Sequence, residues 1–456
     1  MISVYEAVQS GAKERRLAQA VLSEYFRDKQ VVYPINPFQM LTDFGIPFVF
    51  RAFKDKNIEG MYLPSQDDVD IPVVAINIKR PITRQRYTAA HELCHYVKDN
   101  KNSCVCSSSS LNSIEKYADN FAAELLMPYS EMKRQISIYE ENGFVSFSNV
   151  LTIADFFGVS FKSCLNRMAY TYGRIEGDIE SAELSKRATK YAADKKREAL
   201  GHKNVVLFEQ LIDALEPWLK LTSSDFIKAK YSGSYVFNDS RLEGVNLEKA
   251  KVFEIVTDIR LHGTKSSYCI EKYKDEVAVA GHALMYEYLL GLSEDTTVDI
   301  FTLVKLHKRL YSCAPYPDFG GSFRRSDPLV IGSKFETVPS NRISAEILEL
   351  NSVVKHILDS SGSVLLSKYI KMIAQLHHKL TVIHPFGDGN GRATRAFLNL
   401  LLIKRRILPI YIRVEEKDEY LDALSFADNN EYDNLFIVIY KALIRAQAEL
   451  SEAPPL

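Results

Sequence analysis

Apolar positions divide the chain into segments of different periodicity. Ala18, Val21, Leu22, Tyr25 and Phe26 recur at helical spacing, and a short apolar run follows at 46–50. The stretch IPVVAINI at 71–78 is enriched in Val and Ile, with Asn77 interrupting it, and predicts a strand. Pro81 and Thr83 punctuate the chain ahead of a helix predicted over about 84–97. A Ser-rich loop at 106–110 separates it from a second helix, about 114–127, which Pro128 stops. Two further helices are predicted within 148–170, with Gly158 at the turn. The segment 184–203 is charged and helix-prone without a broad apolar face, and reads as an interdomain linker. Beyond it the pattern is helical to about residue 450, except at 315–339. That stretch is rich in Pro and Gly and sets Leu329, Val330 and Ile331 beside Gly332, which predicts a hairpin. No internal repeat is evident. The expected organisation is an α+β domain at 1–175, a charged helical linker at 176–222 and a mainly α-helical domain at 223–450.

Composition narrows the class without naming a function. The 456 residues suffice for two or three domains. Lys plus Arg total 57 against 58 for Asp plus Glu, a formal charge of −1, which argues against a chain-wide nucleic-acid footprint. Apolar content of 46% is an ordinary globular value, so wholesale disorder is excluded. No apolar run approaches the ~20 residues needed to span a bilayer, and the N-terminus lacks the apolar core of a secretory signal. Cys94, Cys104, Cys106, Cys164, Cys269 and Cys313 are scattered and read as reduced thiols. The expectation is a soluble cytoplasmic protein with no membrane partner.

His91-Glu92-Leu93-Cys94-His95 matches H-E-x-x-H. Residues four apart share a helix face, so both imidazoles can reach one ion while Glu92 stands beside it. Glu115 and Asp119 lie one turn apart on the next predicted helix. A third, anionic ligand from there would leave one zinc position open, as a catalytic site requires. Asp119 could hold a ligand histidine by its other ring nitrogen. Glu124 falls on the opposite face. Cys94 is expected to pack inward, and Cys104 with Cys106 form a C-x-C lacking a second pair, read as incidental. The stretch 152–168 has a helix-turn-helix flavour, but Lys162 and Arg167 make too small a phosphate footprint, so it is read as packing.

The sequence Thr88-Ala-Ala-His91-Glu92-Leu-Cys-His95, followed by Glu115-Lys-Tyr-Ala-Asp119 and on to Pro128, resembles the ImmA/IrrE family of metallopeptidases over about residues 15–175. The resemblance implies a zincin-like fold, His91, His95 and Glu115 as zinc ligands, and Glu92 as catalytic base. The strand at 71–78 is the expected edge for pairing with a peptide substrate.

In the C-terminal half, His384-Pro-Phe-Gly-Asp-Gly-Asn-Gly-Arg-Ala-Thr-Arg395 is the strongest signal. Gly387, Gly389 and Gly391 allow a tight loop with inward amides, and a helix follows whose positive end faces the same pocket. Arg392 and Arg395 add cationic forks for phosphate oxygens, and Asp388 is a hard ligand suited to Mg²⁺. His384 at the lip could accept a hydroxyl proton. No G-x-x-x-x-G-K-[ST] occurs, which excludes a P-loop kinase.

This segment is identified as the Fic motif, H-P-F-x-D-G-N-G-R-x-x-R, and the resemblance extends over about 225–450. It implies a mainly α-helical fold with a β-hairpin flap, transferring AMP from ATP to a protein Ser, Thr or Tyr hydroxyl. By that resemblance His384 is the general base, Asp388 binds Mg²⁺, and Phe386 anchors the loop. Gly389 shapes the cradle, Asn390, Gly391 and Arg392 hold the α- and β-phosphates, and Arg395 meets the γ-phosphate. The hairpin at 329–338 corresponds to the flap. Asp239-Ser240-Arg241-Leu242-Glu243-Gly244 resembles the family's inhibitory S/T-x-x-x-E-G segment, with Glu243 expected to engage Arg395. Asp239 stands where Ser or Thr is usual.

Together these predict an adenylyltransferase, held in check by a Glu–Arg pair and joined to a zinc peptidase. The peptidase would cleave a repressor or antitoxin partner, or the chain itself within the linker. Competing readings are removal of AMP or use of another phosphate donor by the C-terminal half, a zinc-bound recognition module without turnover in the N-terminal half, and a DNA-binding regulator.

Overall fold

The computed structural model describes residues 2–65, 71–99, 104–107, 112–177, 180–199, 204–220, 224–270, 274–292, 296–314, 319–327 and 337–451. It divides into two compact units, Met1–Trp218 with Gln447–Leu456, and Leu219–Ala446. The hairpin expected at 329–338 lies, apart from Thr337 and Val338, outside the described residues.

The first unit begins with α1 (Val4–Gln9), α2 (Glu14–Tyr25), α3 (Pro37–Asp43), β1 (Phe48–Arg51), β2 (Ile58–Leu63) and β3 (Val73–Asn77). It continues through α4 (Ile82–Lys98), β4 (Cys104–Ser107), α5 (Ser113–Leu126), α6 (Tyr129–Tyr139), β5 (Glu140–Glu141) and β6 (Phe144–Val145). Last come α7 (Phe147–Phe157), α8 (Phe161–Tyr170), α9 (Ser181–Tyr191), α10 (Ala193–Ala199) and α11 (Val205–Leu215). The main sheet has the order β1-β3-β2-β4, with β1 parallel to β3 and β2 antiparallel to both β3 and β4. The 71–78 segment is therefore a central strand, not the edge expected from the sequence. The physical reason is its continuous apolar run: Val74, Ala75 and Ile76 are all buried, as in a strand covered on both faces. Among the described residues β1 and β4 form the edges.

Helix α4 lies across β2 and β3 and packs against α3 and α5. Gly60 of β2 makes this approach possible. A Cβ there would sit 2.4 Å from Thr88 Cγ2 and 2.8 Å from Glu92 Oε1, so any side chain would push the helix off the sheet. Asn112 caps α5, and Ser146 and Ser160 cap α7 and α8, each accepting a first-turn N–H.

The segment expected as a linker, 176–222, falls within the first unit as far as Trp218 and within the second from Leu219. Leu184 of α9 is buried, as are Leu207, Leu211, Ile212 and Leu215 of α11, and α11 packs on α3. Arg197 of α10 pairs with Asp155 at 2.6 Å. Arg86, fully buried in α4, donates to Gln210 of α11 and to the carbonyls of Gly158 and Ile35. Burial among these neutral acceptors pushes its pKa down to about 9.

The second unit comprises α12 (Ser224–Leu242), α13 (Lys249–His262), α14 (Lys274–Gly291), α15 (Phe301–Leu310), α16 (Ile343–Ser360), α17 (Leu366–Ile383), α18 (Asn390–Lys404), α19 (Lys417–Ala427) and, as far as Ala446, α20 (Asp433–Ser451). Helices α12, α13 and α14 pack on one another, α15 packs on α14 and α18, and α16 and α18 pack on α17. Apolar positions at helical spacing, among them Leu303, Leu306, Ile347, Val354, Ile370, Ile373, Phe397 and Leu401, fill the core. Cys269 and Cys313, read from the sequence as thiols, form a disulfide. Their separation of 44 residues hides a Cα–Cα distance of 4.5 Å. Cys94, Cys106 and Cys164 are free and buried.

Candidate active sites

In the first unit, α4 turns His91, Glu92 and His95 inward, and all three are almost wholly shielded from solvent. Each imidazole has a carboxylate on its Nδ1: Asp119 Oδ1 at 3.0 Å for His91 and Asp99 Oδ2 at 3.2 Å for His95. That contact orients the ring and leaves Nε2 free to serve as a ligand. The two Nε2 atoms converge to 3.1 Å from one another. Glu115 of α5 closes the group, with Oε2 at 3.2 Å from His91 Nε2 and Oε1 at 3.5 Å from His95 Nε2. The arrangement expected from the spacing is thus assembled, Asp119 included. Glu124 turns away to Arg15 and Arg167, at 3.1 and 2.7 Å.

Glu92 is buried, and neither carboxylate oxygen has a hydrogen-bond partner. Burial pushes its pKa up to about 8, opposed by His91 and reinforced by Glu115 and Asp119. Burial would lower the pKa of His91, but hydrogen bonds to Asp119, Cys106 and Glu115 outweigh it and hold it well above the usual imidazole range. Two nitrogens and a carboxylate converging on one point, beside an unpartnered carboxylate, form a donor set suited to a tetrahedral cation such as zinc. Cys106, expected from the sequence to be incidental, is not remote from this group. Its pairing on β2 brings the buried Sγ within 4.8 Å of donor atoms on His91 and Glu92. Only the strand register could have revealed this.

In the second unit, the loop between α17 and α18 carries the glycine-rich motif. His384 ends α17 in the left-handed region at φ 49°, its carbonyl held by Arg324 Nε at 2.7 Å. Burial, then the Arg324 charge, holds the imidazole below its ordinary pKa, so it is neutral and able to take a proton near neutral pH. Phe386 is completely buried and stacks on His307 at 3.7 Å between ring centroids. Asn390 Oδ1 accepts from Phe386 N–H at 2.9 Å, and Asn390 Nδ2 donates to the Phe386 carbonyl at 2.9 Å. The side chain of Asn390 is thereby spent on shaping the loop, and its main-chain N–H is the first of α18.

Gly389, with φ at 73°, caps α18, whose first amides have no intrahelical partner. Arg392 is buried, and its Nε has no hydrogen-bond partner, an orphan donor at the mouth of the helix. Asp388 accepts from Tyr311 Oη–H at 2.8 Å and lies 3.7 Å from Arg392. The Glu243 carboxylate occupies the cradle. A Cβ on Gly391 would lie 2.5 Å from Glu243 Oε1, and Arg395 Nη2 donates to that oxygen at 2.6 Å. Asp239, noted in the sequence only as a departure, reaches Arg395 Nε at 2.5 Å. The contacts of His307, Tyr311 and His282 leave no trace in the sequence, because they depend on how α14, α15 and α18 pack.

Residues 41–169 match the family model described as the IrrE N-terminal-like domain, and residues 297–402 match that of the Fic/DOC family. The chain joins an IrrE-like domain to a Fic domain. Among relatives, the Protein adenylyltransferase Fic of Culex quinquefasciatus is 25% identical over 52% of this chain and 42% of its own length. That of Aedes aegypti is 26% identical over 43% and 37%, and that of Nematostella vectensis 29% over 34% and 35%. The chain thus spans about two-fifths of the length of these relatives. A solved structure of Fic-1 from C. elegans aligns over 71% of this chain and 91% of its own, at 19% identity and a TM-score of 0.43. Among the described residues no helix is long and apolar enough to cross a membrane.

Proposed function

We propose that the Fic unit transfers AMP from ATP to a protein Ser, Thr or Tyr hydroxyl, and that the IrrE-like unit is a zinc-dependent peptidase. For the transfer, His384 takes the hydroxyl proton as the oxygen attacks the α-phosphorus and pyrophosphate departs. The amides of Asn390 and Gly391 with Arg392 hold the α- and β-phosphates, and Arg395 meets the γ-phosphate. Asp388 would hold Mg²⁺, which supplies charge neutralisation between the phosphates. Glu243 lies where a phosphate would sit and keeps the unit inactive.

One observation carries this reading: an internal carboxylate lies over Gly391 at the amide end of α18, in contact with Arg395. A cradle that holds its own anion is a cradle built for anions. Incubation of the full chain with ATP and Mg²⁺, read by intact-protein mass, is the test. Glu243→Gly should gain AMP and His384→Ala should not. A gain of phosphate, or of nothing, would replace this reading with that of another donor or of AMP removal.

For the peptidase, His91, His95 and Glu115 would hold zinc, which supplies Lewis acidity, while Glu92 holds the proton at its unpartnered carboxylate. Peptide-library cleavage with Glu92→Ala as control tests turnover. The nearness of Cys106 to His91 favours a second reading, a zinc-bound recognition module, because a thiolate is a common partner in closed sites.

A further inference from the structure

The guanidinium of Arg395 is gripped from two sides by carboxylates in very different surroundings. On one side Glu243 Oε1 meets Nη2 at 2.6 Å, and its side chain keeps 26% of its surface exposed. On the other, Asp239 Oδ1 meets Nε at 2.5 Å with only 2% exposure. The second oxygen of Asp239 is 3.1 Å from Nε2 of His282, itself fully buried, and His282 Nδ1 pairs with Ser240 Oγ at 2.9 Å. Glu243, part-exposed, can swing into solvent where a phosphate replaces it on Arg395. Asp239 cannot leave without stranding a buried charge and breaking its bond to His282.

We infer that Asp239 is a positioning residue, which fixes the Nε edge of Arg395 so that its Nη edge faces the cradle whether Glu243 or a nucleotide phosphate occupies it. This rests on the proposed nucleotide reading of the cradle and goes further by separating two acidic roles one helical turn apart. Glu243 is the exchangeable occupant, and Asp239 is the fixed mount. A free arginine side chain populates many rotamers, and holding one in advance removes that entropic cost from binding. Because Arg395 is assigned to the γ-phosphate, the mount should matter for ATP and not for ADP.

The test is calorimetric titration of the full-length His384→Ala/Glu243→Gly chain, which cannot turn over, with ATP or ADP in the presence of Mg²⁺. Adding Asp239→Asn should weaken ATP binding about tenfold and leave ADP binding unchanged, and Asp239→Ser should weaken ATP binding further. Unchanged or tighter ATP binding would overturn the inference, making Asp239 a bystander or a second plug. Equal losses for ATP and ADP would also overturn it, reducing Asp239 to a structural role. The conservative Asn variant keeps the shape of the buried site, so a misfolded Ser variant does not decide the matter. Failure of the parent chain to bind either nucleotide would sink the nucleotide reading itself, a result distinct from the other two.

Discussion

The two units each carry a histidine-bearing site, and the sites are built on opposite electrostatic plans. In the IrrE-like unit, Glu92, Glu115, Asp119 and Asp99 surround two imidazoles whose free nitrogens face each other at 3.1 Å. Such a group gains most from a cation. In the Fic unit, Arg392 and Arg395 line a cradle of amides, and Glu243 and Asp239 already lie against Arg395. Arg395 is satisfied by its own chain, while Arg392 Nε stays without a partner. On the function proposed above, the first site would be governed by supply of a metal and the second by removal of the Glu243 side chain.

The comparison breaks most visibly at the metal ligands. His95→Ala should abolish zinc uptake measured by elemental analysis of the purified chain, whereas Glu92→Gln should retain it, since the proposed function takes His91, His95 and Glu115 as the ligands and Glu92 as the base beside them. Loss of zinc in Glu92→Gln would make that residue a ligand and undo its assignment as base.

Acid should separate the units next. Burial pushes His307 and His377 of the Fic unit down to about 4 and about 3. Below the unfolded value near 6.5, the unfolded chain takes up protons that the folded imidazoles refuse. Stability contributed by these residues is full above that value and falls towards pH 4, by up to about 1.4 kcal/mol per pH unit for each ring. His91 runs the other way, its raised pKa giving stabilisation that is complete below 6.5 and fades as the pH rises through the folded value. Calorimetric unfolding of the metal-free chain between pH 7 and 5 should show the Fic transition moving down. A fixed transition would count against burial as the cause.

Smaller effects sharpen the picture. Gly60→Ala should cost about 1–3 kcal/mol, because the added methyl must displace Thr88 and the Glu92 carboxylate; denaturant unfolding would read this, and zinc affinity should fall with it. Tyr311→Phe removes the hydroxyl that Asp388 accepts at 2.8 Å and should change stability by only about 1 kcal/mol. It should tighten Mg²⁺-dependent nucleotide binding by freeing that carboxylate, and weaker binding would show that the hydroxyl orients Asp388.

Much of both sites was legible because their residues lie close together in sequence on single helices or loops. His91 and His95 share a helix face by spacing alone, and the His384–Arg395 segment carries its loop chemistry in twelve consecutive residues. What escaped depends on tertiary arrangement. Cys106 reaches the metal donors only through the pairing of β4 on β2, and Asp239 reveals its grip only once α12, α14 and α18 are packed. The central place of β3 was readable in principle from its unbroken apolar run. The inclusion of α9 to α11 in the first unit was harder to see, because the charged stretch around 184–203 masks Leu184 and draws attention from the apolar stripe of α11.

The reciprocal clasp between the Asn390 amide and the backbone of Phe386 has a kinetic consequence. A loop closed on itself in this way has its final shape before any guest arrives, so no folding of the mould accompanies capture. If the cradle takes a nucleotide as proposed, its arrival should be paced by the swing of one glutamate, and the on-rate should respond to that gate far more than to loop stiffness.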